Sequence, residues 1–417
     1  MKLIWNEYVH FIPDKEKIFI GNTMNKECIF ITKECYQILN NAMKEDLSEK
    51  QLVNSFQTEK ERQYIKDLME ILMQKRMIGE FNYSELFKDN LKITWAFTDK
   101  CNLRCKHCAN SSGERKRGKE LEKEELLSIA DKICALHPKS ICLTGGEPLD
   151  NPYFWEIVDS IKREFQGNLK LMTNGTLINE KNASRLADQF FSFDISLDGA
   201  DEESCAKVRG SHVFEKVVQG IKLLKKYGAK RIVVSMVDCR ATHEYIQAFK
   251  DLCENELDVQ YMVRGFDSVG RGEENKKELE NLPVEIRESD LDGNKEKKLS
   301  SIKKQEGKFM PDIFGCKAAL MEFYIDYRGQ IFPCPVLDSK EFLLGNALQE
   351  DLKQYIFEKQ YTKSEGYGAL LKYLPWNLPE CAACKNQLFC YTCIGDIKDK
   401  YESGIIKNCN KRVSFQD

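Results

Sequence analysis

The sequence predicts an α/β protein whose main sheet is parallel and either curved or closed. The alternation of its strand and helix signals predicts it. Six short apolar strand signals alternate with five helical patterns through the middle of the 417 residues. The first of these strands runs straight into a group of cysteines, and the 17 cysteines as a whole are bunched rather than spread. Strands joined through intervening helices are parallel, because an antiparallel pair needs only a tight turn.

Residues 1–88 read as a separate α+β module: extended segments at KIFIG and ECIFIT, then apolar residues at helical spacing through ECYQILNNAM and RQYIKDLMEILMQKRM. The alternating segment NLKITWAFTDKC opens the next part. Strands are expected at 92–98, 140–144, 169–173, 193–197, 231–237 and 259–264, with helices at 121–136, 152–165, 179–190, 213–227 and 242–254. Residues 271–308 are dense in charge of both signs and nearly free of aromatics, which suits a solvated linker or insertion. Residues 309–417 hold seven cysteines among short apolar pieces, and such a segment is expected to need metal to fold.

Composition narrows the function. Apolar residues make up 42% and charged residues 31%, which excludes a wholly disordered chain. No run of about 18 apolar residues occurs, so no membrane span is expected. A net charge of -3 gives no general electrostatic reason to bind nucleic acid or anionic lipid. The opening MKLIWNEYVHFIP does not suit a signal peptide, so a cytoplasmic location is expected. In a reduced compartment, clustered cysteines point to metal or redox chemistry rather than disulfides. Cys28, Cys35, Cys134, Cys142, Cys205, Cys239 and Cys253 occur singly in apolar stretches and are expected to be core residues.

The other ten cysteines carry the chemistry. Cys101-x3-Cys105-x2-Cys108 places three thiols on one loop at a strand end, which suits three corners of a [4Fe–4S] cube. The next cysteine, Cys134, lies in a predicted helix, so the fourth iron is left open to bind something else. Zinc on three cysteines and His107 is the competing reading, although adjacent His107 and Cys108 do not easily turn to one ion.

WAFTDKCNLRCKHCAN resembles the cluster loop of the radical S-adenosylmethionine (SAM) superfamily, with His107 in the aromatic-type position before the last cysteine. LTGGEPL at 143–149, TNGT at 173–176 and SLDG at 196–199 resemble the family's later landmarks, each at the end of a predicted strand. The resemblance implies a partial (β/α)6 barrel over 89–270, with SAM chelated by the open iron of the cluster on Cys101, Cys105 and Cys108. It further implies that Gly145 and Gly146 let backbone approach the cofactor, with Glu147 as an added acceptor or, alternatively, a helix N-terminal acid. Asn174, Ser196, Asp198 and His107 would line the cofactor, and Arg209 would pair with its carboxylate unless it forms a salt bridge instead.

Cys316, Gly329 and Cys334, followed by Cys381-x2-Cys384-x5-Cys390-x2-Cys393 and Cys409, resemble the SPASM extension, which carries auxiliary [4Fe–4S] clusters. The family block more often ends C-x3-C, so Cys393 departs by one residue. The resemblance assigns Cys381, Cys384, Cys390 and Cys409 to an outer cluster, and Cys316, Cys334 and Cys393 to an inner one that is a ligand short. A substrate cysteine thiolate suits that corner, and another residue closing it is the alternative. Residues 1–88 resemble the winged-helix-like element that binds leader peptides of ribosomally made, modified peptides. The implied function is a maturase that joins a cysteine sulfur of a precursor peptide to carbon as a thioether, using SAM, three [4Fe–4S] clusters and an electron donor such as ferredoxin or flavodoxin. Carbon–carbon crosslinking, sulfatase-maturase-type oxidation and a zinc-stabilised interaction protein are the other readings.

Overall fold

The computed structural model describes residues 3–81, 89–113, 120–280, 313–390, 393–407 and 409. Contacts divide the chain into two compact units: the described parts of 1–85, 287–317 and 368–417 form one, and those of 86–286 and 318–367 the other.

In the first unit, strands β1 (Val9–Asp14), β2 (Lys17–Asn22) and β3 (Cys28–Thr32) form an antiparallel meander in the order β1-β2-β3. Helices α1 (Lys33–Lys44), α2 (Glu49–Asn54) and α3 (Glu59–Gln74) follow. Their starts are written locally. The Thr32 side chain accepts from the Cys35 amide, and Ser48/Gln51 and Thr58/Glu61 form reciprocal capping boxes. The helices lay Leu39, Ile65, Met69 and Leu72 on Ile18 and Ile20 of the sheet, each worth about 1.5–3 kcal/mol of burial. The C-terminal part packs on the same module: His10 stacks on Trp376 with centroids 3.7 Å apart, Phe19 meets Phe389, and the Phe314 amide donates to the Leu388 carbonyl at 2.7 Å.

The second unit is built on a nine-stranded sheet. Strands β4 (Lys92–Ala96), β5 (Ser140–Thr144), β6 (Asn168–Thr173), β7 (Ser192–Ser196), β8 (Ile232–Asp238) and β9 (Gln260–Gly265) are parallel neighbours in sequence order. All six sit where the apolar pattern puts them, to within a few residues. Ile93, Trp95, Ile141, Leu143, Leu169, Leu171, Phe193, Ile195 and Val234 form its buried face, and α4 (Lys123–Cys134), α5 (Phe154–Glu164), α6 (Ala183–Gln189), α7 (Glu202–Arg209) and α8 (Phe214–Lys226) supply the first four crossovers, with the helix Ile246–Asp251 in the fifth. Alternate residues point the other way, into the partial barrel.

Two sequence expectations change here. Residues 271–280 are not linker: α9 (Arg271–Glu274) and α10 (Lys276–Leu279) fold there, with Arg271 and Leu279 buried; the rest of the expected linker, 281–308, lies outside the described residues. The cysteine-rich segment also does not stand as one body. Strand β10 (Glu322–Ile325) pairs in parallel with β4, and β11 (Gln330–Phe332) and β12 (Gly345–Asn346) continue the sheet antiparallel. Phe323, Ile325, Ile331, Phe332, Phe342 and Tyr361 bury there, so residues 318–367 pack in the same unit as the parallel sheet. Of the seven single cysteines, Cys35, Cys134, Cys205, Cys239 and Cys253 are buried, while Cys28 and Cys142 are half-buried. No described helix is long and apolar enough to cross a membrane.

Candidate functional site

Loops at the carboxyl ends of parallel strands converge on one edge of a sheet, which is where α/β folds place their sites. The longest begins at the end of β4 and holds Cys101, Cys105 and Cys108. Its shape is imposed from several sides. The Glu120 carboxylate accepts from Thr98 Oγ1 at 2.8 Å and from the amides of Asp99 at 2.6 Å and Lys100 at 3.0 Å. The Gly146 amide donates to the Thr98 carbonyl at 2.8 Å and the Glu147 amide to the Lys100 carbonyl at 2.7 Å.

These bonds explain the glycine pair. A Cβ on Gly145 would lie 2.2 Å from the Thr98 carbonyl oxygen, and one on Gly146 would lie 2.1 Å from that of Lys100. Gly145 also sits at φ +143°. The side chains are missing because two backbones must touch, and the surface they meet is the start of the cysteine loop.

The three cysteine thiols are free. Burial pushes the Cys101 thiol up to about 12, and Glu147, Cys105 and Cys108 add to it, which places the three sulfurs in one electrostatic neighbourhood. Burial also raises Cys105, against the opposing pull of Arg209 and Arg271. Ligation of iron requires thiolates, so loading this loop must release protons. Among the described residues no three His, Cys, Asp or Glu side chains converge as a single-ion site would need; a cubic cluster instead takes one thiolate per iron. Among the described residues the loop is also left with buried polar atoms that have no partner: His107 Nδ1, Ser111 Oγ and Ser112 Oγ. Soft donors and orphaned polar atoms together fit an iron–sulfur cluster and a polar cofactor beside it.

Behind the loop lies a buried ionic triad. Asp198 is fully buried, with Oδ2 2.7 Å from His107 Nε2 and 2.6 Å from Arg209 Nε, while Oδ1 accepts from the Val237 amide at 2.6 Å. Arg209 Nη1 donates to Cys105 Sγ at 3.8 Å. Burial alone would raise the Asp198 carboxyl, but Arg209 and His107 outweigh it and hold the group far below the usual carboxylate range. Arg209 is held charged by Asp198 although burial opposes this.

Several expected cofactor contacts therefore turn inward. Asp198 spends its oxygens on His107, Arg209 and Val237, and Arg209 pairs with Asp198 rather than standing ready for a ligand carboxylate. Glu147 is fully buried and takes Thr173 Oγ1 at 2.7 Å, the Asn174 amide at 2.7 Å and the Leu149 amide at 3.2 Å. It caps the short Pro148–Asp150 turn and ties the ends of β5 and β6 together, the alternative role of a helix N-terminal acid. Burial pushes it up to about 7. Asn174 Nδ2 donates to Asn102 Oδ1 at 2.8 Å and lies 3.9 Å from Cys101 Sγ. The half-buried Ser196 side chain has no hydrogen-bond partner among the described residues.

The structure adds contacts that the sequence reading missed. Arg271 is buried, with Nε donating to the Cys105 carbonyl at 3.0 Å, Nη1 to the Ser112 carbonyl at 2.9 Å, and its amide to the Cys108 carbonyl at 3.0 Å. Gly270, at φ +56°, would place a Cβ 2.1 Å from the Ala109 carbonyl oxygen, and Asn275 donates to the Lys106 carbonyl at 3.2 Å. The segment after β9 thus clasps the cysteine loop through its backbone. Arg271→Met leaves two buried carbonyls without that donor, at about 1–3 kcal/mol each. The expected outcome is a several-fold faster loss of cluster iron to a chelator, with faster amide exchange across 101–113 in the apo-protein; unchanged rates would remove the clasp.

The later cysteines are distributed over both units. Cys381 lies on the Pro379–Ala382 turn, Cys384 is buried just after it with the Asn386 amide 3.4 Å from its sulfur, and Cys393 immediately precedes the helix Ile394–Glu402 without a side-chain capping bond. Cys390 and Cys409 are exposed. Cys316 belongs with this unit and Cys334, just after β11, with the other.

The profile of the Radical SAM superfamily matches residues 95–253, which spans the cysteine loop and every later landmark. Mycofactocin maturase MftC of Mycobacterium ulcerans (strain Agy99) is 30% identical over 286 residues, 66% of this chain and 76% of that protein. The protein of the same name from Mycobacterium tuberculosis (strain ATCC 25618 / H37Rv) is 29% identical over 269 residues, 62% of this chain and 68% of that one. Among solved structures, Streptococcus suis SuiB bound to precursor peptide SuiA matches with a TM-score of 0.56 at 16% identity, covering 96% of this chain and 97% of that one, a likeness of fold. The cysteine loop, the strand-end landmarks around it and these relatives converge: the chain belongs to the radical SAM superfamily.

Proposed function

We propose that the chain matures a ribosomally synthesised precursor peptide, joining a cysteine sulfur to a carbon of another residue as a thioether. The observation that carries the peptide substrate is the chain's likeness to proteins named mycofactocin maturase, over 66% of its length in one case. A fold shared with SuiB, a structure of which holds its precursor peptide, supports it.

Cys101, Cys105 and Cys108 hold the SAM-binding [4Fe–4S] cluster in this reading. When bound, cluster and SAM supply reductive cleavage of the S–C5′ bond and hence a 5′-deoxyadenosyl radical that abstracts hydrogen. The chain's own residues position these parts. Arg209 donates toward the Cys105 sulfur, Asp198 holds Arg209 and His107 in place, and Gly145, Gly146 and Glu147 fix the β5 loop against the cysteine loop. His107 Nδ1 and Ser196 are the polar groups left for the cofactor. Cys381, Cys384, Cys390 and Cys409 serve an outer auxiliary cluster, and Cys316, Cys334 and Cys393 an inner one whose last corner takes the substrate thiolate. Ferredoxin or flavodoxin supplies the electron, and the protein acts in the cytoplasm.

The module at 1–88 serves as the winged-helix-like leader-binding element, the barrel spans 89–270, and the auxiliary-cluster segment spans 309–417. β1 and β3 are the edges of the N-terminal sheet. β3 carries Phe30, 54% exposed, and suits addition of an extended leader as a further strand. Deleting the module would strip the core packed around Phe19, Phe389 and Trp376, so a point change is the cleaner test. Phe30→Asp is expected to weaken leader-peptide binding about ten-fold while leaving SAM cleavage without peptide unchanged; equal binding would contradict the assignment.

A further inference from the structure

We propose that the inner face of the barrel between β5 and β9 holds a carboxylate-binding subsite, built on Lys170 and Arg264, that positions an acidic group of the peptide substrate. The proposal rests on the peptide-substrate reading above and goes beyond it by naming what the barrel recognises.

Strand periodicity sets the face. Leu169 and Leu171 are buried among the helices, so Lys170 between them points into the barrel, as do Cys142, paired with it in register, and Asp194, between the buried Phe193 and Ile195. Asp194 gathers two neighbours: Ser235 Oγ bonds its Oδ1, and Arg264 Nη2 pairs with its Oδ2. Three features leave this group incomplete. Lys170 makes no hydrogen bond or ion pair among the described residues. Arg264 Nε is buried and has no hydrogen-bond partner among the described residues. The formal charge does not balance, because Lys170 and Arg264 face the single carboxylate of Asp194. Cys142 cannot supply the missing negative charge: burial pushes its thiol up to about 12, Asp194 adding and Lys170 and Arg264 opposing, which also places the three charged groups around it.

The next charged groups along the sheet are already matched. Lys92 and Glu322 pair with each other at 2.7 Å at the amino-terminal end of the sheet, and Asp198 is matched by Arg209 and His107 at the other end. The excess cation is therefore local to Lys170 and Arg264. Met172 and Val233, half-buried, and Met262, 47% exposed, supply apolar surface beside it. An apolar floor with one cation in excess suits a peptide carrying a carboxylate better than a neutral or basic one.

The carboxylate can come from an Asp or Glu side chain or from a peptide C-terminus, and three probes separate these. Cluster-loaded, SAM-bound enzyme is titrated by calorimetry with acetyl-Gly-Cys-Gly-Glu-Gly-amide, the Gln counterpart as an amide, and the Gln counterpart with a free C-terminus. At least one charged probe is expected to bind ten-fold or more tightly than the neutral one, and the better of the two names the source. Lys170→Gln should erase that preference with iron content unchanged. Asp194→Asn, which frees Arg264, should enlarge it. Equal affinity for all three probes, no detectable binding, or a preference that survives Lys170→Gln overturns the subsite. Mass spectrometry of a precursor incubated with the enzyme reports on the peptide-maturase reading separately: a processed precursor with no probe preference removes the subsite alone.

Discussion

Alanine at Cys101, Cys105 or Cys108 is expected to abolish 5′-deoxyadenosine formation, with cluster iron falling by the share of one [4Fe–4S] centre. In the proposed cluster each thiol would be a separate corner ligand, so losing one would leave an iron exchangeable and the cube labile. The effect should not be graded by exposure, although Cys105 is buried and the other two are half-buried. The control is Cys205→Ala, a buried cysteine on α7 outside the loop. It should cost stability at the scale of a small core truncation and leave iron content intact. A Cys105→Ala protein that still forms 5′-deoxyadenosine would detach the loop from the chemistry.

The second large effect is Asp198→Asn. The variant keeps the shape and removes the charge, leaving Arg209 buried without its counter-ion. Breaking a buried pair in this way costs about 3–5 kcal/mol. Loss of Asp198 also frees His107 and releases the arginine that donates to Cys105, so cluster loading should fall together with stability. The pH dependence has a defined sign. Asp198 is held below its ordinary 3.8 when folded, so its contribution is complete above that value and is lost only as pH falls through the depressed folded value. Chemical denaturation of the two apo-proteins should therefore show a constant gap from neutral pH down to about 4, closing only in stronger acid. A gap that closes near pH 6 would assign the stabilisation to another group, and no gap at all would mean that Arg209 finds a different partner.

The parallel sheet was legible because it depends on local pattern. Each strand from β4 to β9 is a short apolar run, each crossover has helical spacing, and the cysteine loop is contiguous. What was not legible depends on distant partners. β10 completes the sheet beside β4, and Lys92 meets Glu322 across a separation of 230 residues, so no window of sequence links them. Asp198 was expected to face a cofactor as a polar residue in the strand-end landmark SLDG, and Arg209 to pair with the cofactor carboxylate; their mutual pairing is visible only once α7 brings Arg209 back past β7. Glu147 carried both readings in its sequence, since an acid before Pro148 suits a turn cap, and fold geometry decided for the cap. Arg271 was hidden by its company. It opens a charge-rich stretch whose composition reads as solvated, and the one local hint was the glycine before it, whose positive φ permits the close approach to Ala109.

The proposed chemistry closes a sulfur-to-carbon bond in a peptide by SAM radical chemistry. The most direct measurement is mass spectrometry of a precursor peptide encoded beside its gene, after anaerobic incubation with cluster-loaded enzyme, SAM and reductant. The expected product is lighter by two hydrogens, with one fewer thiol open to alkylation and with 5′-deoxyadenosine formed alongside. A product that has lost two hydrogens while every cysteine remains alkylatable would contradict thioether formation, and an unchanged peptide would contradict the maturase itself.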